Sequence, residues 1–245
     1  MRQTTDVLKG LARSYLFEGM SEDELLPLAA VATTRHLVRG EYVWRVGDVA
    51  AEICVVLEGE IKDSVLDVEG NEIIHFVHGP GMTFGEPGYF AVDRDRIVAE
   101  IALEPSVIIR LGRRELSPFI DAHPAIKDRL LEAFASHMRW QSTMISALVR
   151  RPLVERVGLR LLELLDSGPE SQHGERATQK ISQSTLAGMV GVSRENVNRA
   201  LAILVSSGFV RQDKGRYVIE DEDGLRRELS RDWPIVQRRD RRVVP

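Results

Sequence analysis

The chain is read as an α+β protein in three parts: an antiparallel β-roll of jelly-roll type, a long helix, and a C-terminal winged helix-turn-helix. Three observations predict this order. Between Leu37 and Arg110, short β-rich runs alternate with glycine-bearing turns and no helical pattern intervenes. Between Pro124 and Val149, apolar residues recur at three- and four-residue spacing. From Ser182 to Ile219, two short apolar-faced helices hinge at a glycine and are followed by a hairpin.

The N-terminal stretch predicts helices over Thr4–Ala12 and Ser21–Thr33. Ser21 with Glu24 three residues on forms a capping box, in which each side chain satisfies the other residue's free backbone N–H. The β runs follow as His36–Val38, Tyr42–Arg45, Glu52–Leu57, Glu60–Leu66, Glu72–Val77, Val98–Leu103 and Val107–Leu111. Breaks fall at Arg39-Gly40, Val46-Gly47-Asp48, Glu58-Gly59, Glu69-Gly70-Asn71 and Gly79-Pro80-Gly81.

The long helix carries Ile126, Leu130, Phe134, Met138, Ile145 and Leu148 on one stripe, interrupted at Gln141. Such a stripe beside an already closed roll suits a coiled-coil homodimer. Arg151-Pro152 breaks it, because proline cannot donate to the preceding turn. Leu153–Leu165 is a further amphipathic helix, and the polar loop Ser167–Lys180 leads into the last unit. The expected domains are 1–122 (roll), 123–150 (dimer helix), 151–223 (winged helix-turn-helix) and 224–245 (a basic, solvated extension).

Composition narrows the function. Hydrophobic residues make up 43% and charged residues 29%, as in a soluble globular protein. No run of 18 apolar residues is present, and the N-terminus lacks a signal peptide's apolar core, so a cytoplasmic protein without membrane contact is expected. Cys54, the single cysteine, lies in the strand-like Ile53–Leu57 and reads as a buried structural residue. His75, His78, His123 and His137 show no paired ligand spacing, so no metal site is expected; a haem ligand from His75 or His137 is the remaining metal reading. No nucleophile–base motif, phosphate-binding P-loop or dinucleotide fingerprint appears, and the chain is not read as an enzyme.

The chemistry concentrates near the C-terminus. Ser193 caps the second helix, whose Val197, Leu201 and Leu204 turn inward while Arg194, Glu195, Asn198 and Arg199 stay outside. Arginine can grip guanine O6 and N7 bidentately and glutamate can accept from cytosine N4, so this helix suits the major groove of double-stranded DNA. Phe209–Gln212 and Tyr217–Ile219 read as strands of a wing with Lys214 in the turn. Between Ser182 and Ile219, Arg194, Arg199, Arg211, Lys214 and Arg216 outnumber Glu195 and Asp213, a local +3 in a chain of net charge −4. The positive charge sits where phosphates need neutralising.

On three segments the chain resembles the Crp/Fnr family of bacterial transcription regulators, nearer its cyclic-AMP receptor branch than its iron–sulfur oxygen sensors. The segments are Leu57–Lys62 around a glycine turn, Phe84–Phe90 followed by Asp95-Arg96, and Val192–Arg199. The resemblance implies a cyclic-nucleotide-binding type of roll. It also implies a homodimer on an inverted-repeat operator like TGTGA…TCACA, and RNA polymerase as a partner. In that family's nucleotide binders a cassette glutamate takes the ribose 2′-OH and an arginine the cyclic phosphate. Glu86 and Arg96 stand in those places, after Gly85.

Cyclic AMP or a related nucleotide is the effector this implies. The departure is Ile97-Val98, where the family's cyclic-AMP binders have a hydroxyl residue and then Ala; one lost hydroxyl–phosphate bond costs about 1.5–3 kcal/mol. Ser142, within Gln141-Ser142-Thr143, stands at the height where the family's dimer helix meets the base. Two alternatives stay open: a constitutive or otherwise-liganded regulator with a vestigial pocket, and a regulatory subunit acting through protein contacts.

Overall fold

A computed structural model describes residues 2–166, 176–178 and 180–230. By internal packing these form two units, 2–65 with 75–136 and 66–74 with 137–230.

The first unit is the roll with its flanking helices. Helix α1 (Arg2–Arg13), a short 3₁₀ turn (Tyr15–Phe17) and α2 (Glu22–Val31) precede it. The capping box is present: Glu24 N–H donates to Ser21 Oγ at 3.3 Å, and Ser21 N–H donates to Glu24 Oε2 at 2.8 Å. Eight strands follow: β1 (Thr33–Leu37), β2 (Tyr42–Trp44), β3 (Glu52–Glu58), β4 (Ile61–Leu66), β5 (Glu72–His78), β6 (Thr83–Phe84), β7 (Ala99–Ala102) and β8 (Ser106–Gly112). They form two antiparallel four-stranded sheets, in the orders β1-β8-β3-β6 and β2-β7-β4-β5. This is the expected roll. Gly59 at the β3–β4 turn has φ +82, and a Cβ there would sit 2.3 Å from Ser106 Oγ, so only glycine fits.

In this unit sequence reading misses β6 and α3 (Glu86–Phe90), which are too brief to show periodicity, and α4 (Arg113–Ala122), whose pattern Pro118 interrupts. Helices α1, α2 and α4 share a core with Ile53, Val55, Ile109 and Leu111 of β3 and β8, and with Ile126 and Leu130 from the start of α5 (Pro124–Arg150). Cys54 is fully buried, and burial pushes its thiol pKa well up, which fits a structural residue.

Helix α5 runs unbroken for 27 residues. Its stripe divides. Ile126 and Leu130 are buried, whereas Leu131, Met138, Ile145, Leu148 and Val149 are exposed at 67%, 69%, 61%, 57% and 78%. Leu131, Met138 and Ile145 repeat every seven residues, the spacing of a coiled-coil seam.

In the second unit, α6 (Leu153–Asp166), α7 (Gln183–Val190), α8 (Arg194–Ser206), β9 (Val210–Asp213), β10 (Arg216–Ile219) and α9 (Glu222–Ser230) surround one apolar core. Here the structure corrects the expected boundary at residue 224. The chain does not leave the core there: Leu225 and Leu229, one helical turn apart, are 1% and 2% exposed and pack beside Gly158. Glu222 anchors α9 by ion pairs to Arg176 and Arg226, both at 2.8 Å, and these hold its carboxyl down at about 2 against the cost of burial. Residues 231–245, the rest of the expected extension, lie outside the described residues. Among the described residues no helix is long and apolar enough to cross a membrane.

Candidate DNA-reading helix and effector pocket

The helix-turn-helix is built from its caps inward. Ser182 Oγ accepts from Thr185 N–H at 3.0 Å and starts α7; Gly191, at φ +70, ends it in the left-handed conformation that glycine takes without strain. The end of α7 is also held from α6, where Arg160 donates to Met189 O at 2.8 Å. Ser193 Oγ then accepts from Asn196 N–H at 3.4 Å, capping α8. Val197, Ala200, Leu201 and Leu204 are buried, which turns Arg194, Glu195, Asn198 and Arg199 outward on one face. All four are exposed, with their N-cap Ser193.

Two partners were not legible as functional residues. Arg194 Nε donates to Gln183 Oε1 at 3.3 Å, and Arg199 donates to Asn196 Oδ1. Asn196 lies one turn before Arg199, a spacing that could have revealed the pair; Gln183 comes from α7 and offers no local signal. Each partner narrows the rotamers of an arginine before DNA arrives, which lowers the entropic cost of a base contact.

The wing is a two-residue hairpin. Lys214 and Gly215 have φ +46 and +84, as a type I′ turn requires, and Asp213 pairs with Arg216 across it. Lys214 is exposed at the tip. Arg211 is engaged by Glu220 at 2.7 Å, which subtracts it from the wing's available charge.

In the roll, Gly85 is the N-cap of α3 at φ +93, and a Cβ there would meet Arg96 Nη1 at 2.7 Å. Arg96 is 3% exposed. Its Nη1 donates to Gly85 O at 2.8 Å, its Nη2 to Glu52 O at 2.6 Å, and its guanidinium lies 3.6 Å over the Trp44 ring. Glu86, the first residue of α3, is half-buried; burial raises its pKa, and the Thr83 hydroxyl partly offsets this. Gly85, Glu86 and Arg96 are thus brought together. Ile97 is 65% exposed and offers no hydroxyl. Ser142 is exposed on α5.

Sequence reading gave no sign of what shares this face. Asp63 of β4 and Glu100 of β7 are direct register partners, and His78 ends β5, the other neighbour of β4. His78 Nε2 lies 2.5 Å from Asp63 Oδ1. Burial alone would raise the Asp63 carboxyl, but His78 beside it holds it below the usual carboxylate range. Burial would lower His78, yet Asp63 raises it. Glu100, 1% exposed, is pushed well up by burial and by its neighbour Asp63.

Both terminal nitrogens of Arg96 are engaged by carbonyls, while its Nε–H is buried without a hydrogen-bond partner. Glu86 stands beside it, and Ile97 supplies no hydroxyl for a phosphate.

Comparison with known proteins agrees with the fold. Residues 34–123 match the cyclic nucleotide-binding domain family, and residues 155–228 match the Crp-like helix-turn-helix domain family. A "CRP-like cAMP-activated global transcriptional regulator" of Mycobacterium tuberculosis is 26% identical over 89% of this chain and 97% of its own. The "Cyclic AMP receptor protein" of Thermus thermophilus is 25% identical over 85% and 93%. Among solved structures, FixK2 from Bradyrhizobium japonicum superposes with a TM-score of 0.71 at 21% identity, covering 80% of this chain and 96% of that one. The regulator CLP of Xanthomonas campestris, described as c-di-GMP responsive, gives 0.66 at 22%, covering 82% and 100%. The sheets, the 27-residue helix and the capped two-helix unit with its wing therefore have one source: the chain belongs to the Crp/Fnr family of transcription regulators.

Proposed function

We propose that this protein is a homodimeric, sequence-specific DNA-binding regulator whose operator affinity is set by a small ligand in the β-roll. The observation that carries the reading is the exposed quartet Arg194, Glu195, Asn198 and Arg199 on a helix capped at Ser193, with two of its arginines already aimed by Gln183 and Asn196. Dimerisation through α5 is supported by the exposed seven-residue repeat Leu131, Met138, Ile145. Two such helices about 34 Å apart enter successive major grooves on one face of the duplex, and Lys214 meets the backbone beside each. RNA polymerase is the partner through which such a dimer acts on transcription. The proposed division of labour is roll 1–122, dimer helix 123–150 and DNA-binding unit from 151 onward.

Cyclic AMP as the ligand is supported by the domain match, by the cAMP-activated relatives, and by Gly85, Glu86 and Arg96 in place. A non-nucleotide ligand is favoured by Ile97 in place of a hydroxyl and by the buried carboxyl groups of Asp63 and Glu100 near Arg96. Anisotropy titration of a duplex bearing a TGTGA…TCACA inverted repeat, against a scrambled duplex at equal salt, tests the regulator. The reading expects at least 10³-fold preference for the repeat in one ligand state. Calorimetry with cyclic AMP and cyclic GMP, on the wild type and on Arg96→Ala, decides the ligand: a nucleotide effector requires binding that the substitution abolishes.

A further inference from the structure

We propose that the roll holds a divalent first-row transition-metal ion, ligated by Asp63, His78 and Glu100. The three side chains come from β4, β5 and β7, adjacent strands of one sheet, and all point inward. Asp63 follows the buried Ile61 by two residues, Glu100 precedes the buried Ala102 by two, and His78 follows the buried Phe76 by two. Such positions ordinarily carry aliphatic side chains. Their ligand atoms lie within 4.8 Å of one another, close to the roughly 4.2 Å that two ligands each about 2.1 Å from one ion can span.

Two unmet atoms point to a ligand. Glu100 Oε2, on a side chain 1% exposed, has no hydrogen-bond partner, and neither has Nδ1 of the His78 ring, 8% exposed. A buried carboxyl oxygen and a buried ring nitrogen left unpaired are costly, and a fold retains them where something else satisfies them. The Glu100 side chain also hydrogen-bonds that of Asp63, its register partner across β7 and β4, so an ion between the strands meets both carboxylates.

The donor set selects the ion. One imidazole and two carboxylates suit Mn²⁺, Fe²⁺, Co²⁺, Ni²⁺ or Zn²⁺, with Zn²⁺ bound more tightly than Mn²⁺. Imidazole disfavours Ca²⁺ and Mg²⁺, which prefer all-oxygen shells. No thiolate or thioether is among the three, which disfavours Cu⁺. Glu86 is near enough to interact with His78, Asp63 and Glu100 electrostatically and adds to the negative field. Histidine spacing along the sequence gives no hint of this, because two of the three ligands are carboxylates on other strands.

The inference deepens the reading of the roll as the ligand-holding domain, but its test uses no DNA and so fails or succeeds separately. Full-length, tag-free protein stripped with chelator is titrated with Zn²⁺ by calorimetry and with Co²⁺ by visible absorption, alongside Ca²⁺ as a control. Glu100→Gln and His78→Gln are compared with the wild type, their folding checked by circular dichroism in chelator. The proposal expects one Zn²⁺ per chain, ligand-field bands with Co²⁺, no saturable Ca²⁺ binding, and at least tenfold weaker Zn²⁺ binding in both variants. A wild type that takes up neither metal, or variants that bind as tightly as the wild type, overturns it. Operator titration of the same samples reports on the regulator reading by itself.

Discussion

Arg194 and Lys214 are both exposed cations of the second unit, yet they differ in what they can do. Arg194 sits in the first turn of α8 and is held by Gln183, so its fork can be presented to one base edge. Lys214 tips a hairpin and offers a point charge to phosphate. Arg194→Ala is expected to cost about 1–3 kcal/mol on the operator and to relax one base position. Lys214→Ala should weaken all sequences evenly and reduce the salt slope by about one per protomer. Competition titrations over a set of single-base operator variants at several salt concentrations read both; equal losses on every sequence from Arg194→Ala would contradict a base-reading role.

Glu60 gives a second prediction at this scale. Burial, with Glu104 nearby, raises its carboxyl to about 7. A raised folded-state pKa means the native chain holds a proton that the unfolded chain has released. Its contribution is therefore complete below the ordinary carboxylate pKa and is lost as pH rises from about 4.5 to about 7. Chemical denaturation across that window should show stability falling for the wild type and flattening in Glu60→Gln.

Among elements, the long ones were legible and the short ones were not. The predicted Pro124–Val149 helix is α5, and Leu153–Leu165 is α6, because ten or more residues let a 3.6-residue period declare itself. Cassette helix α3 has five residues, including Pro87 and Gly88, and no period can be read from five. α9 was hidden differently: its seven-arginine neighbourhood looks solvated, and only Leu225 and Leu229 reveal a buried side. In the roll, the sequence marks where the strands lie but not how they pair. Extending alternation from Ile61 to Asp63 and from Phe76 to His78 marks two polar residues as inward, but the third, Glu100, needs the pairing of β7 with β4, which no local pattern supplies. At α5, Met138→Glu with Ile145→Glu is expected to leave each chain folded, since both residues are exposed. The pair places like charges in the seam, so sedimentation should show monomers and operator binding should fall at least a hundredfold. A stable dimer in that variant would remove α5 as the clasp.

For the whole molecule, the charge balance is the informative quantity. A chain of net −4 confines a local positive excess to its helix-turn-helix and wing, reduced where Glu220 pairs with Arg211, so strong association with DNA requires the correct surface in the correct pose. Carboxyl groups meanwhile collect in the roll, at Asp63, Glu86 and Glu100, with His78 among them. One family thus supplies the fold, while side chains at a handful of inward positions decide what the roll can hold.

The most direct test of the central claim is selection of bound duplexes from a random pool, with and without Zn²⁺ and cyclic AMP. Enrichment of an inverted repeat whose half-sites lie about 10–10.5 base pairs apart, centre to centre, is expected, with altered preference at one position in each half for Arg194→Ala. Enrichment of no symmetric sequence under any of these conditions would contradict it.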